Sequence, residues 1–90
     1  MLYMVIERFK NGDPLPVYRR LRDQGRMAPA SLKYQGSWTT DDLTVCYQVM
    51  ETDNRALLDE WISHWNDIVD FEVLPALTSA QAQTRVAPRL

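Results

Sequence analysis

The sequence predicts an α+β fold in which two helices cover one face of a four-stranded antiparallel sheet. Apolar and amphipathic segments follow one another in the order strand, helix, strand, strand, helix, strand. The first and third predicted strands are apolar on both faces, whereas the second and fourth alternate between apolar and polar residues, as edge strands do. Together these observations predict a ferredoxin-like βαββαβ sandwich with the first and third strands at its centre.

The N-terminal third of the chain supplies a strand and a helix. The segment LYMVIERF, Leu2–Phe9, is short and rich in apolar and aromatic residues, which is typical of a buried strand. Asp13, followed by proline, predicts a helix start at which its carboxylate accepts from the backbone N–H of Leu15. We expect this helix to end at Gly25. Its apolar positions are Leu15, Val17, Tyr18 and Leu21.

A hairpin follows. LKYQGSWT alternates in polarity and LTVCYQVME is apolar on both faces, with a turn at Thr40-Asp41-Asp42 between them, so we expect two antiparallel strands. On the first of these strands the alternation places Leu32, Tyr34 and Trp38 on one face.

The C-terminal half contributes a second helix and a last strand. Asp53 and Asn54 supply the helix cap, and the apolar stripe predicts a helix from Arg55 to about residue 66. That stripe consists of Leu57, Leu58, Trp61, Ile62 and Trp65. Residues 67–77 are predicted to form the fourth strand, which completes a domain of residues 1–77. Residues 78–90 are small and polar, which predicts a tail that is flexible or ordered only against a partner.

Composition limits the class of protein. With 90 residues, of which 46% are hydrophobic and 24% charged, the chain predicts one small domain that benefits from self-association. A net charge of -2 argues against a general nucleic-acid binder. No apolar run approaches the roughly 18 residues needed to span a bilayer, and no secretion signal is visible, so we expect a cytoplasmic protein. One cysteine and one histidine predict no disulfide, metal site or cofactor.

The sheet face away from the helices is predicted to be apolar. Toward the helices we place Leu2, Met4, Ile6, Cys46 and Met50, and on the opposite face Tyr3, Val5, Glu7, Phe9, Val45, Tyr47, Val49 and Glu51. An apolar and aromatic patch of this extent normally marks an interface or a ligand surface. We therefore expect a homodimer in which two sheets pack face to face around a shared, barrel-like space.

Three titratable side chains are candidates for proton transfer. His64 suits this role near neutral pH, with Glu60 one turn earlier, although such a pair is more often a solvated one. Glu7 and Glu51 end the two central strands and predict a carboxylate pair, or else a dimer contact with basic residues. The residues predicted to bind a ligand are Tyr3, Glu7, Trp38, Tyr47 and Glu51. Cys46 is expected to be a buried, unreactive thiol.

The string ETDNRALLDEWISHWNDIVDFEVLPALTSAQA, together with MLYMVIERFK, GSW and CYQVM, resembles the bacterial family called domain of unknown function 3303 (DUF3303). The resemblance covers residues 1 to about 82, and the residues beyond Ala82 depart from it. It implies the dimeric α/β-barrel superfamily, which includes antibiotic-biosynthesis monooxygenase-like, muconolactone isomerase-like and YCII-like proteins. It implies a fold and a dimer, and no catalytic motif or cofactor.

Three functions are left open by the sequence. The first is a small-molecule-binding dimer, the second a cofactor-independent enzyme of the isomerase or monooxygenase type, and the third an interaction module with a filled core. An open cavity between sheet and helices, with Glu7 and Glu51 pointing into it, favours the first two, whereas a cavity packed solid by side chains favours the third.

Overall fold

The structure, a computed structural model, describes residues 1–90. It contains four strands and three α-helices. The strands are β1 (Leu2–Phe9), β2 (Lys33–Thr39), β3 (Val45–Glu51) and β4 (Val69–Ala76), and the helices are α1 (Leu15–Gln24), α2 (Arg55–Ser63) and α3 (Ser79–Val86). This order confirms the predicted α+β, ferredoxin-like βαββαβ fold and adds a C-terminal helix.

The four strands form one sheet in the order β2-β3-β1-β4, and every neighbouring pair is antiparallel. The prediction that the first and third strands are central is therefore confirmed. On β4 the apolar residues Val69, Phe71 and Val73 share one face, as their alternation with Asp70 and Glu72 predicted.

The prediction of which β1 residues face the helices is wrong. In the register of the sheet, Val5 lies opposite Gln48 and Glu7 lies opposite Cys46. The side chains buried on the helix side of β1 are Tyr3, Val5, Glu7 and Phe9. The odd-numbered and the even-numbered residues of β1 are both largely apolar. The strand's alternation therefore showed which residues share a face, but not which face packs against the helices. On β3, Cys46 and Met50 are buried as predicted.

The opposite side of the sheet, which we call the open face, carries no helix of this chain. Its apolar side chains are Leu2, Met4, Ile6, Trp38, Val45, Tyr47, Val49 and Leu74. Trp38 is 66% exposed and Tyr47 42% exposed. An apolar open face was predicted, and the structure places Tyr47 and Val49 on it, whereas Val5 is fully buried on the other side.

A bulge in β2 separates two aromatic residues that the sequence placed together. The register with β3 shifts between Tyr34 and Gly36, so Tyr34 pairs with Met50 on the helix side while Trp38 pairs with Tyr47 on the open face. One extra residue in a strand reverses the facing of all residues after it. The Trp38 ring then lies against Gly36, where a Cβ would come within 3.1 Å of Cη2 of Trp38.

The helices begin where their caps were predicted. Asp13 accepts a hydrogen bond of 3.0 Å from the N–H of Leu15, and the Asn54 side chain accepts one from the N–H of Ala56. Helix α2 ends earlier than predicted, because its last turn tightens into i→i+3 bonds such as that from the N–H of Trp65 to the carbonyl of Ile62. No helix has both the length and the apolar character needed to cross a bilayer.

The C-terminal residues form a helix that was not predicted from the sequence. Thr78 and Gln81 make a capping box, in which each side chain accepts from the backbone N–H of the other residue. The signal was present as Thr-x-x-Gln before a run of good helix formers. Helix α3 has no buried residue, so whether this tail depends on a partner stays a prediction.

Candidate functional site

A cavity of about 80 Å³ lies between the helix side of the sheet and helices α1 and α2. Seven of its twelve lining residues are hydrophobic. The polar side chains around it are Glu7, Arg26, Ser37, Thr39 and Gln48. A volume of this size holds several water molecules, since one needs about 10–15 Å³. The core is therefore not packed solid at this point, and polar groups converge on the gap.

Glu7 is the buried carboxyl of this cavity. It lies on the central strand β1, retains 7% of its exposure and faces Cys46 on β3. Burial raises the pKa of Glu7 to about 7, and this effect outweighs the hydrogen bond with the Cys46 thiol and the charge of Arg26, which both lower it. Near neutral pH the carboxyl is thus divided between its protonated and ionised forms.

Arg26 is held in place by contacts with three elements. Gly25, with a φ of 70°, ends α1 and turns the chain toward the sheet. The Arg26 guanidinium donates to Oε1 of Gln48 at 3.1 Å and lies 3.8 Å from the ring centroid of Tyr34. These contacts hold the positive charge beside the cavity, and a cation over an aromatic face is itself favourable.

The backbone of Arg26 is fixed from the side of α2. Its carbonyl oxygen accepts from the indole Nε1 of Trp61 at 3.0 Å and of Trp65 at 3.1 Å. Both indoles are almost fully buried. Both tryptophans belong to the apolar stripe predicted for the second helix and are buried, whereas Trp38, which was also expected in the core, is exposed. Trp61 and Trp65 also position the loop that carries the guanidinium.

Polar side chains on β2 and β3 complete the lining. Gln48 is 2% exposed, and its amide Nε2 contacts Sδ of Met50 at 3.1 Å while its Oε1 accepts from Arg26. Thr39 shares a hydrogen bond of 2.9 Å with the Tyr18 hydroxyl. The buried polar atoms of the cavity are thus partnered, and no buried side-chain nitrogen or oxygen of the protein is left without a hydrogen bond.

Cys46 lies in the cavity wall as a neutral thiol. It is 8% exposed, and burial, followed by the nearby carboxyl of Glu7, raises its pKa to about 11. A thiol of this kind is a poor nucleophile, since the thiolate is the reactive form. The prediction that Cys46 is a buried small hydrophobic residue is confirmed. No group of three His, Cys, Asp or Glu side chains is arranged to hold a metal ion.

Comparison with known proteins identifies the family. The model of the family described as "Domain of unknown function (DUF3303)" matches residues 1–90. The chain belongs to the DUF3303 family. No curated protein and no solved structure matches it. Because the match covers the whole chain, the expectation that the shared pattern stops near Ala82 is wrong, and helix α3 is part of the DUF3303 domain.

In this DUF3303 domain the five predicted ligand-binding residues do not surround one cavity. Glu7 lines the cavity described above, and Tyr3 is buried on the same face but outside the lining. Trp38, Tyr47 and Glu51 lie on the open face. The errors in the β1 facing and at the β2 bulge account for this division.

The predicted carboxylate pair is also absent. Glu7 lies near the end of β1, opposite Cys46, whereas Glu51 ends β3 opposite Leu2, at the other end of the sheet. Two neighbouring strands that run antiparallel end at opposite sides of the sheet, so residues that end both strands are far apart. His64 is exposed at the C-terminal end of α2 and does not line the cavity.

Four polar cavity residues, Arg26, Ser37, Thr39 and Gln48, were not predicted from the sequence. Arg26 was not named as a candidate, although it follows the helix-ending Gly25 and so leaves the helix surface. Gln48 could have been recognised as a site residue, because it is the one amide within the apolar strand β3. Thr39 could not have been recognised, because the sequence pattern of β2 does not reveal the bulge that turns this side chain toward the helices.

Proposed function

We propose that this chain is a small-molecule-binding protein whose ligand occupies the cavity between the sheet and the helices. The observation that carries the proposal is that a buried carboxyl, Glu7, and a guanidinium, Arg26, line one cavity without a salt bridge between them. Pockets with apolar walls and a few convergent polar groups are the usual form of small-molecule sites. A carboxyl with a strongly perturbed pKa in such a pocket supports the same conclusion.

The proposal includes a homodimer formed through the open face. Met4, Ile6 and Val49 lie side by side across the centre of this face, and Trp38 and Tyr47 flank them. Contiguous apolar surface of this kind is uncommon on monomers. A two-fold axis brings the same patch of two copies together, which buries apolar area at about 25 cal/mol per Å².

A second candidate function is cofactor-independent proton transfer, as in an isomerase. It is favoured by the pKa of about 7 for Glu7, because a general acid or base works best near the pH of its medium. The cavity supports both binding and catalysis, and it argues against an interaction module with a filled core.

Ligand binding is tested by screening small polar aromatic fragments against the ¹H–¹⁵N spectrum of the protein. We expect hits to shift the Nε1 signals of Trp61 and Trp65 and the backbone signals near Glu7. The matched control is Cys46→Met, which fills the cavity and should abolish those shifts. A screen in which hits shift only open-face residues, or in which there are no hits, contradicts the binding function. Deuterium uptake into a bound fragment in D₂O would favour the catalytic alternative.

The dimer is tested by sedimentation equilibrium at micromolar concentrations. Val49→Lys places a charge in the middle of the open face and should give a monomer. Leu15→Lys, at a site on α1 that is 53% exposed, is the matched control and should leave the dimer intact. A wild-type chain that is monomeric at these concentrations contradicts the dimer without affecting the cavity.

A further inference from the structure

The guanidinium of Arg26 has donors that the protein does not use. Of its five N–H groups, one donates to Gln48, and no carboxylate of the chain pairs with it. The other arginine side chains near the core are engaged differently, as in Arg20, whose two Nη atoms donate to the carboxylate of Asp67. Arg26 thus presents an incompletely used planar donor to the cavity.

We infer that the ligand of this cavity is a small aromatic or unsaturated carboxylic acid, whose carboxylate accepts from Arg26 and from the protonated carboxyl of Glu7. This inference rests on the proposed binding function and specifies its ligand class. Guanidinium and carboxylate have matching planar geometry, and charge-assisted hydrogen bonds of this kind are about twice as strong as neutral ones.

Glu7 is suited to donate to such an anion. Because burial already favours its neutral form, a second carboxylate beside it favours protonation further, and the pair shares one proton. The titratable or charged groups around Glu7 are the Cys46 thiol on β3, Arg26 in the loop after α1 and the Tyr18 hydroxyl on α1. Helix α2 and the turn after it contribute only indoles, Trp61 and Trp65, to the lining. No second carboxylate of the chain lines the cavity.

The remaining walls fit the hydrocarbon part of this acid. Phe9 and Tyr18 pack edge to face with their ring centroids 6.1 Å apart, and Leu21 and the two indoles close the other sides. Aromatic walls favour a flat, unsaturated body. The small volume limits the ligand to little more than a single ring beyond its carboxylate.

The test compares benzoate with its neutral isostere benzamide by isothermal titration calorimetry at pH 6, 7 and 8. We expect benzoate to bind more tightly than benzamide at pH 6. Its affinity should be about tenfold lower at pH 8 than at pH 6, because the protonated fraction of a group with a pKa of about 7 falls from about nine-tenths to about one-tenth. Benzamide affinity should change little over this range.

Variants separate the two binding groups. Arg26→Met should remove the preference for benzoate over benzamide, whereas Arg22→Met, at an exposed arginine of α1, should preserve it. Glu7→Gln retains a donor and should bind benzoate with an affinity that no longer depends on pH. Folding of each variant is checked by its indole Nε1 signals.

Each other outcome contradicts the inference. Benzamide binding at least as tightly as benzoate overturns the carboxylate class while the binding function stands. Inorganic phosphate binding as tightly as benzoate indicates a general anion site and also overturns it. If neither benzoate nor benzamide binds, the ligand class is wrong, and the fragment screen decides separately whether the cavity binds other molecules.

Discussion

The carboxyl of Glu7 lies directly across two central strands from the thiol of Cys46, beneath the helices. Burial raises the pKa of both groups, to about 7 for Glu7 and to about 11 for Cys46. A buried ionisable pair of this kind ties the stability of the fold to pH, because charging either group inside the protein is unfavourable.

Glu7→Gln should remove a pH dependence of folding. The folded pKa of Glu7 is about 7 and its ordinary value 4.5, so the folded state holds the proton more tightly. Stability is greatest below about pH 4.5 and is lost as the pH rises to about 7, by roughly 2–3 kcal/mol between pH 5 and pH 8. Urea unfolding of the wild type and of Glu7→Gln at these two pH values measures the difference.

The control for this prediction is Glu72→Gln, at an exposed carboxylate of β4 that pairs with Arg8. It should retain the pH dependence of the wild type. Equal pH dependence in Glu7→Gln and the wild type would show that Glu7 ionises in the folded protein without cost.

Trp61→Phe and Trp65→Phe should destabilise the protein more in combination than the sum of their separate effects. Either indole alone still donates to the carbonyl oxygen of Arg26, but the loss of both leaves that oxygen without a donor. We expect a coupling of about 1 kcal/mol in a double-mutant cycle followed by urea unfolding. Trp38→Phe is the control, because this indole is exposed on the open face. If the two destabilisations are additive, a water molecule replaces the missing indole donors at the Arg26 carbonyl oxygen.

Arg20→Gln should raise the pKa of Asp67. Two hydrogen bonds of 2.7 and 2.8 Å from the Arg20 guanidinium hold that pKa at about 2, below its ordinary 3.8. The stability that this pair contributes is present above pH 3.8 and is lost as the pH falls toward 2. Titration of the Asp67 carboxyl by NMR tests this, with Arg22→Gln, which alters a different ion pair, as the control. An unchanged pKa of Asp67 in Arg20→Gln contradicts the assignment.

Leu43→Gly should stabilise the chain. Leu43 has a φ of 61° in the turn between β2 and β3, where Asp42 binds Thr40 and Thr44. A residue with a Cβ in the left-handed region is destabilised by about 1–2 kcal/mol. Glycine avoids this penalty but loses more conformational entropy on folding. We therefore expect a net gain of about 0.5–1 kcal/mol in the free energy of unfolding, measured with urea. Leu43→Ala keeps the Cβ and should gain less. A loss of stability in the glycine variant would indicate that the exposed leucine contributes packing.

Much of the fold could be predicted because it depends on local patterns. The limits of β1 and the caps at Asp13 and Asn54 depend on residues close together in the chain, and the structure confirms them. The capping box at Thr78 was equally local and was overlooked because the tail is polar. The candidate site was predicted only in part, since Glu7 was named while Arg26 and Gln48 were not.

The sequence by itself determined the order of the elements and the positions of the central strands, because the continuous and the alternating apolar patterns each lie within one short segment of the chain. Only the tertiary structure decided which face of β1 meets the helices. It also decided that a bulge separates Tyr34 from Trp38 and that Arg26 and Glu7 share a cavity. These features depend on the register between strands and on loop conformation, which bring together residues far apart in the chain.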